Sequence, residues 1–257
     1  KNEGVVALHK NAPSKIEVIA SDADGNKSTL KFWVKRAEVK PAKSKSFNYS
    51  LFYDRSNTID NGSMKAVFPK GVFYENAYIN YESEQDISGD VYSAMHHIHN
   101  VSIPVHKYYT LSIRPDGLPE HLKKKAFIAF CDEKNKVYNS GGKWKNGFLT
   151  AKVRSLGDYC VMVDDVPPRI TPTSFKSDMR GASRMSFKIK DEMPTTGKAR
   201  GLSVKATVDG QWILMNYDEK NDRITHIFDG RIGTGEHTLK LVVKDDRGNQ
   251  SVFERKF

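Results

Sequence analysis

Long hydrophobic runs are missing from this chain of 257 residues. No stretch approaches the roughly 18 to 20 uninterrupted apolar residues that a membrane-spanning helix needs, which excludes that class of segment. Helical periodicity is almost as scarce. The best candidate, Leu118 to Lys125, is too short to stand alone as a helix and reads as a turn into a strand over Ala126 to Cys131. No Gly-x-Ser-x-Gly elbow, Walker loop or dinucleotide fingerprint follows any strand-like run, which argues against the common serine hydrolase, nucleotide hydrolase and dinucleotide-dependent classes. Cysteine is limited to Cys131 and Cys160. An even count in a secreted chain allows one disulfide between them; strand cysteines are also among the most buried residues, so two free thiols are the other reading. Neither has an activating base beside it in sequence. The chain opens Lys1-Asn2-Glu3, with neither Met nor an apolar signal core, as expected of a mature or trimmed fragment.

What is present is a basic, aromatic-rich composition. Lys and Arg number 41 against 31 Asp and Glu, giving a net charge of +10, with 38% hydrophobic and 11% aromatic residues. That is too apolar and too aromatic for a disordered chain. Short alternating runs of Val, Ile, Phe, Tyr and Thr, punctuated by Gly, Asn, Asp and Pro, predict an all-β chain of tandem sandwiches. Two segments match each other. Lys15 to Phe32, centred on Asp22-Ala23-Asp24-Gly25-Asn26, parallels Leu239 to Phe253, centred on Asp245-Asp246-Arg247-Gly248-Asn249. Each reads as strand, tight Gly-Asn turn and strand, with Gly supplying a positive φ and Asp or Asn bonding the turn's own backbone. Such hairpins close many bacterial immunoglobulin-like domains. The first copy has little chain ahead of it, so residues 1–36 read as the tail of an immunoglobulin-like domain. The polar, basic segment 37–46 reads as a linker, 47–165 as a middle sandwich and 166–257 as a C-terminal immunoglobulin-like domain, with Pro167-Pro168 stiffening the last boundary. The charge excess is +5 in residues 1–46, zero in 47–165 and +5 in 166–257.

Histidine is the obvious chemical lead, since His96, His97, His99 and His106 hold four of the eight in one short span. On a strand, His97 and His99 share a face, and alternate imidazoles suit zinc. A metal-dependent enzyme built on this cluster is therefore one alternative. No Cys, Asp or Glu within the span completes a tetrahedral site, so a structural or surface cluster is the stronger reading, with no metal assigned. Asp22 to Asn26 imitates the start of a calcium loop but carries Gly at the fourth position and Trp33 at the twelfth, so the turn explains it better. Glu82 with Glu84, and Asp245 with Asp246, read as solvated strand and turn faces. Alternation places Phe32, Phe127 and Phe187 in cores. Aromatics such as Trp33, Trp144, Trp212, Tyr108, Tyr109 and Tyr217 would form a sugar-stacking platform if exposed together and are packing if not. Positive charge spread over both ends, without a nucleic-acid motif, argues against nucleic acid and suits an anionic polymer or surface.

Combined motifs go further. Phe68-Pro69-Lys70-Gly71-Val72-Phe73-Tyr74 leads to His97-Ile98-His99-Asn100 and His106-Lys107-Tyr108-Tyr109; then come Gly141-Gly142-Lys143-Trp144, Leu156-Gly157-Asp158-Tyr159-Cys160 and Val208-Asp209-Gly210-Gln211-Trp212. This set resembles the non-catalytic C-terminal β-sandwich region attached to lysostaphin-type peptidoglycan metallo-endopeptidases. The middle domain also resembles a ZU5-like sandwich, with a Pro-x-Gly strand opening it and a Trp…Gly-x-Tyr stretch closing it. The resemblance implies tandem immunoglobulin-like and ZU5-like sandwiches with no activity of their own, attached to a secreted or periplasmic, outer-membrane-associated enzyme. It implies partners in peptidoglycan, another envelope polymer or an envelope protein. The family's peptidase domain binds zinc through His-x-x-x-Asp and a later His-x-His. No histidine here has Asp four residues on, so zinc is expected only in a peptidase domain absent from this chain, and no cofactor here. The long Lys190 to Gly197 stretch departs from the family's compact loop. A glycan-binding or adhesion module is the second alternative, with His97, His99, His106, Trp144 and Tyr108 as candidate binding residues.

Overall fold

The computed structural model describes residues 6–8, 12–36, 46–85 and 90–257. The expected linker, 37–46, lies outside these except for Ser46. The chain divides into two compact units, Lys1–Ser46 and Phe47–Phe257. Its secondary structure is almost entirely strand, as the alternation predicts.

In the first unit, β1 (Ser14–Ser21) and β2 (Lys27–Val34) form an antiparallel hairpin in continuous register from Ser14↔Val34 to Ser21↔Lys27. The turn is held by Asp22, whose carboxylate accepts from the backbone N–H of Asp24 and Asn26 at 3.0 and 2.9 Å and from Asn26 Nδ2 at 2.8 Å. Gly25 takes φ 84°, which a side chain would resist. Alternation puts Ile16, Val18, Leu30 and Phe32 on one face. Phe32, expected in a core, is 40% exposed, because no second layer lies over this two-stranded sheet among the described residues.

The second unit holds two sandwiches. Strands of the first are β3 (Tyr49–Leu51), β4 (Asn57–Asp60), β5 (Met64–Phe68), β6 (Ala77–Ile79), β7 (Tyr81–Glu84), β8 (Met95–Ile98) and β9 (Tyr109–Ile113). They continue with β10 (Ala126–Cys131), β11 (Val137–Asn139), β12 (Lys143–Lys145), β13 (Phe148–Val153) and β14 (Gly157–Val163). One sheet runs β11-β10-β14-β8-β7, the other β12-β13-β9-β5-β4, and β3 pairs β6 as a separate ribbon. Strict alternation drives the layers together: Met64, Ala66 and Phe68 of β5 and Tyr109, Leu111 and Ile113 of β9 all point inward and are fully buried. Strand β10 differs. Ala126 and Ile128 join this core while Phe127, Ala129 and Cys160 form a second apolar cluster on the outer face, covered by Met95, Met162 and Met193. Burial on both faces explains its unbroken apolar sequence. A short 3-10 helix, Glu120–Lys125, leads into it.

The second sandwich comprises β15 (Arg169–Pro172), β16 (Arg184–Lys190), β17 (Ser203–Val208), β18 (Gln211–Ile213), β19 (Asn216–Asp218), β20 (Arg223–Ile227), β21 (Thr238–Lys244) and β22 (Gln250–Lys256). Its sheets are β15-β16-β20-β19 and β18-β17-β21-β22. They enclose Phe187, Ile189, Ile224, Leu239, Leu241 and Val243, with Phe175 and Phe253 packed edge-on at 5.3 Å. This is an immunoglobulin-like β-sandwich.

Candidate functional site

Two places concentrate functional groups: the seam between the two sandwiches and an aromatic cleft on the first. At the seam, the Lys190–Gly197 stretch reaches across. Asn139 N–H donates to Pro194 O and Thr196 N–H to Asn139 O, both at 2.8 Å, forming a short parallel bridge. The terminal turn contributes the rest. Arg247 Nη1 donates to Ala126 O at 2.7 Å and Gly142 O at 3.3 Å, Asn249 Nδ2 donates to Asp164 O at 2.8 Å, and Lys125 Nζ donates to Asn249 Oδ1.

Asp245 and Asp246, expected to be solvated, are buried here. Asp245 accepts from Arg247 N–H, Asn249 N–H and Asn249 Nδ2, and Asp246 pairs with Arg247 at 2.7 Å. Their burial follows from the turn docking on the neighbouring sandwich, a long-range contact that local alternation does not encode. Asp164, Asp191 and Asp245 bring carboxylate oxygens within 4.8 Å of one another, the set of described residues best placed to hold a cation. Burial pushes Asp164 up to about 6, with Asp191 and Asp245 adding repulsion, and burial also raises Asp191.

The histidines do not gather. His96 points into the core, where Tyr81 Oη lies 2.9 Å from its Nδ1 and Asn61 Nδ2 donates to Tyr81 Oη at 2.6 Å. Nε2 of His96 is buried without a hydrogen-bond partner. Burial lowers His96 to about 4. His97 faces the other way, 2.8 Å from Asp158 and 3.7 Å from Glu84. The expectation that His97 and His99 share a face fails because β8 ends at Ile98 and His99 turns to φ 53°. Its Nδ1 accepts from Asn80 N–H at 3.4 Å, and its ring meets Phe47 edge-on. His106 sits on another loop, with Tyr74 Oη 2.9 Å from its Nδ1. Among the described residues, no three of these histidines converge on one metal position.

Trp144 lies elsewhere, donating Nε1–H to Lys123 O at 2.9 Å, and Tyr108 belongs to the seam, its hydroxyl 3.3 Å from Gly197 O under Lys198. Cys131 and Cys160 are free thiols on neighbouring strands, close enough for an S–H···S contact. That contact lowers Cys131 and raises Cys160. His97 lies near Cys131, but Asp158 takes its Nδ1.

The cleft is lined by residues not among the candidate binding residues read from the sequence, and His99 and His106 stand behind two of its rings. Phe47, Tyr74 and Tyr78 are 41%, 66% and 50% exposed and, with Phe73, Ile103 and Pro104, line a cleft of about 300 Å³. Phe47 and Tyr78 lie 6.1 Å apart, and Tyr74 and His106 4.9 Å apart. The signal for Tyr78 was present in the buried, exposed, buried order of Ala77-Tyr78-Ile79. For Phe47 there was none, since only the pairing of β3 with β6 brings it beside Tyr78. Larger grooves of about 860 and 820 Å³ lie along the seam and at the far end of the last sandwich.

The fold and these sites define a pair of joined β-sandwiches. Residues 48–164 match the model of the Zu5-like domain, so a Zu5-like domain is present in the chain. No curated protein matches the chain. Among the described residues, no helix is long and apolar enough to cross a membrane.

Proposed function

We propose that this chain is a non-catalytic accessory array of a secreted or periplasmic cell-wall zinc metallopeptidase, positioning that enzyme on peptidoglycan or docking an envelope protein. The observation that carries the reading is the seam. A spacer must hold its ends at a fixed separation, and here a loop, a turn and a half-buried Arg247 join two sandwiches through polar contacts that a freely jointed pair would not make. The resemblance of the sequence to accessory regions of lysostaphin-type peptidases supports the choice of enzyme, whose zinc is then expected in a separate peptidase domain. The positive excess at residues 1–46 and 166–257 suits an anionic envelope polymer.

Purified peptidoglycan tests both halves of the proposal. The chain is expected to cosediment with it, less so as salt rises through the physiological range, and to release no soluble muropeptides with or without added zinc. Zinc-dependent cleavage by this chain alone would falsify the accessory assignment.

A further inference from the structure

We infer that the cleft between the β3–β6 ribbon and the loop carrying Ser102 to Pro104 is a carbohydrate site that takes the faces of pyranose rings in an uncharged stretch of glycan. The inference rests on the positioning role proposed above and names the surface that performs it.

Aromatic exposure in this sandwich is concentrated. Of the described aromatics of this sandwich that are more than a third exposed, Phe47, Phe52, Tyr53, Tyr74 and Tyr78 sit on the β3–β6 ribbon or the loops beside it, and Trp144 of β12 lies apart. A soluble domain has no packing reason to gather exposed rings on one short ribbon. Nor are they free to wander. Tyr74 is held by His106 through its hydroxyl and ring, Phe47 lies between Tyr78 and His99, and Arg55 covers Phe52 at 4.6 Å. Rings held in place before binding lose little freedom when a ligand arrives.

The chemistry of the walls selects the ligand. Flat π faces attract the polarised C–H face of a sugar, while Glu75, Asn76 and Ser102 put carboxylate, amide and hydroxyl groups within the same cleft to meet sugar hydroxyls. Glu75 is the single charged residue among the described residues lining it, which disfavours a phosphate or carboxylate ligand there. An apolar peptide is the competing occupant, and the test separates the two.

The experiment is a chemical-shift titration of the full chain with an N-acetylglucosamine oligomer, cellohexaose, and an end-capped apolar tetrapeptide. Shifts are expected at Phe47, Tyr74, Tyr78, His99 and His106 with at least one glycan at or below about 10 mM and none with the tetrapeptide. Tyr78→Ala should weaken binding roughly fivefold or more. Trp212→Ala, on the other sandwich, should have no effect, and unchanged melting temperatures would show that the variants fold. Silence with both glycans, response to the tetrapeptide instead, or binding that survives the Tyr74→Ala/Tyr78→Ala double variant would overturn the site. Those results would leave the accessory assignment standing, since its two halves are read separately, by cosedimentation with peptidoglycan and by the absence of cleavage.

Discussion

His96 and Asp164 are buried titratable side chains whose charged forms the fold resists, and they push stability in opposite directions with pH. His96 titrates near 4 in place against 6.5 ordinarily, so its contribution is full above 6.5 and lost as pH falls toward 4. Asp164 titrates near 6 against 3.8, so its contribution is full below 3.8 and lost as pH rises through 6. Each is worth on the order of 3 kcal/mol across its window. Asp164→Asn keeps an acceptor for Val166 N–H and removes the charge. Denaturant melts should show it more stable than the parent by up to about 3 kcal/mol at pH 8 and equal to it near pH 3. With Asp164 gone, the acid-side loss from His96 should stand out more steeply between pH 7 and 4. Neither shift was legible in the sequence. His96 and His97 are adjacent and chemically identical, and only the pleat decides that one meets Tyr81 in the core and the other meets Asp158 outside. Asp164 and Asp165 look equally solvated until the final turn covers the first.

One kind of hairpin turn recurs among the described residues. The sequence shows two copies at Asp22 and Asp245, and the structure holds a third at Asp132, whose carboxylate accepts from the N–H of Lys134 and Lys136 at 2.9 Å each. It escaped comparison because Asn135 takes the positive φ of 58° that Gly takes in the others. Strands and turns were readable because both depend on neighbours in sequence: alternation fixes Met64 to Phe68, and a Gly-Asn pair fixes Gly248 to Asn249. What a hairpin packs against depends on distant residues. The positions of Leu241 and Phe253 correspond to Val18 and Leu30 in the first copy, yet the former pair is in or against a core and the latter is more than half exposed. A two-stranded sheet with its apolar face uncovered is marginal. Brief trypsin treatment should therefore cut at Lys27 or Lys31 before it cuts any strand of the second unit. Protection of β1 and β2 equal to that of β21 and β22 would refute this.

At the scale of the whole molecule, the seam is the feature on which the rest depends. Arg247→Ala removes hydrogen bonds to Ala126 O and Gly142 O and leaves buried Asp246 without its partner. A cost of about 2 to 4 kcal/mol is expected, and one calorimetric transition should separate into two as the sandwiches uncouple. A single unchanged transition would show the coupling to lie elsewhere. The departure at Lys190 to Gly197 was visible in the sequence as an extra-long loop, but its destination was not, because a backbone bridge to Asn139 leaves no mark on either segment's composition.

The docked turn also fixes the direction of the final strand. β22 starts at the seam and runs outward along β21 for seven residue pairs, roughly 23 Å, ending where Phe257 exchanges backbone bonds with His237. A pull applied at Phe257 is thus directed along β22, so all seven pairs are sheared together and none is peeled open first. Force applied at Phe257 is therefore expected to meet the resistance of the whole β21–β22 ladder at once.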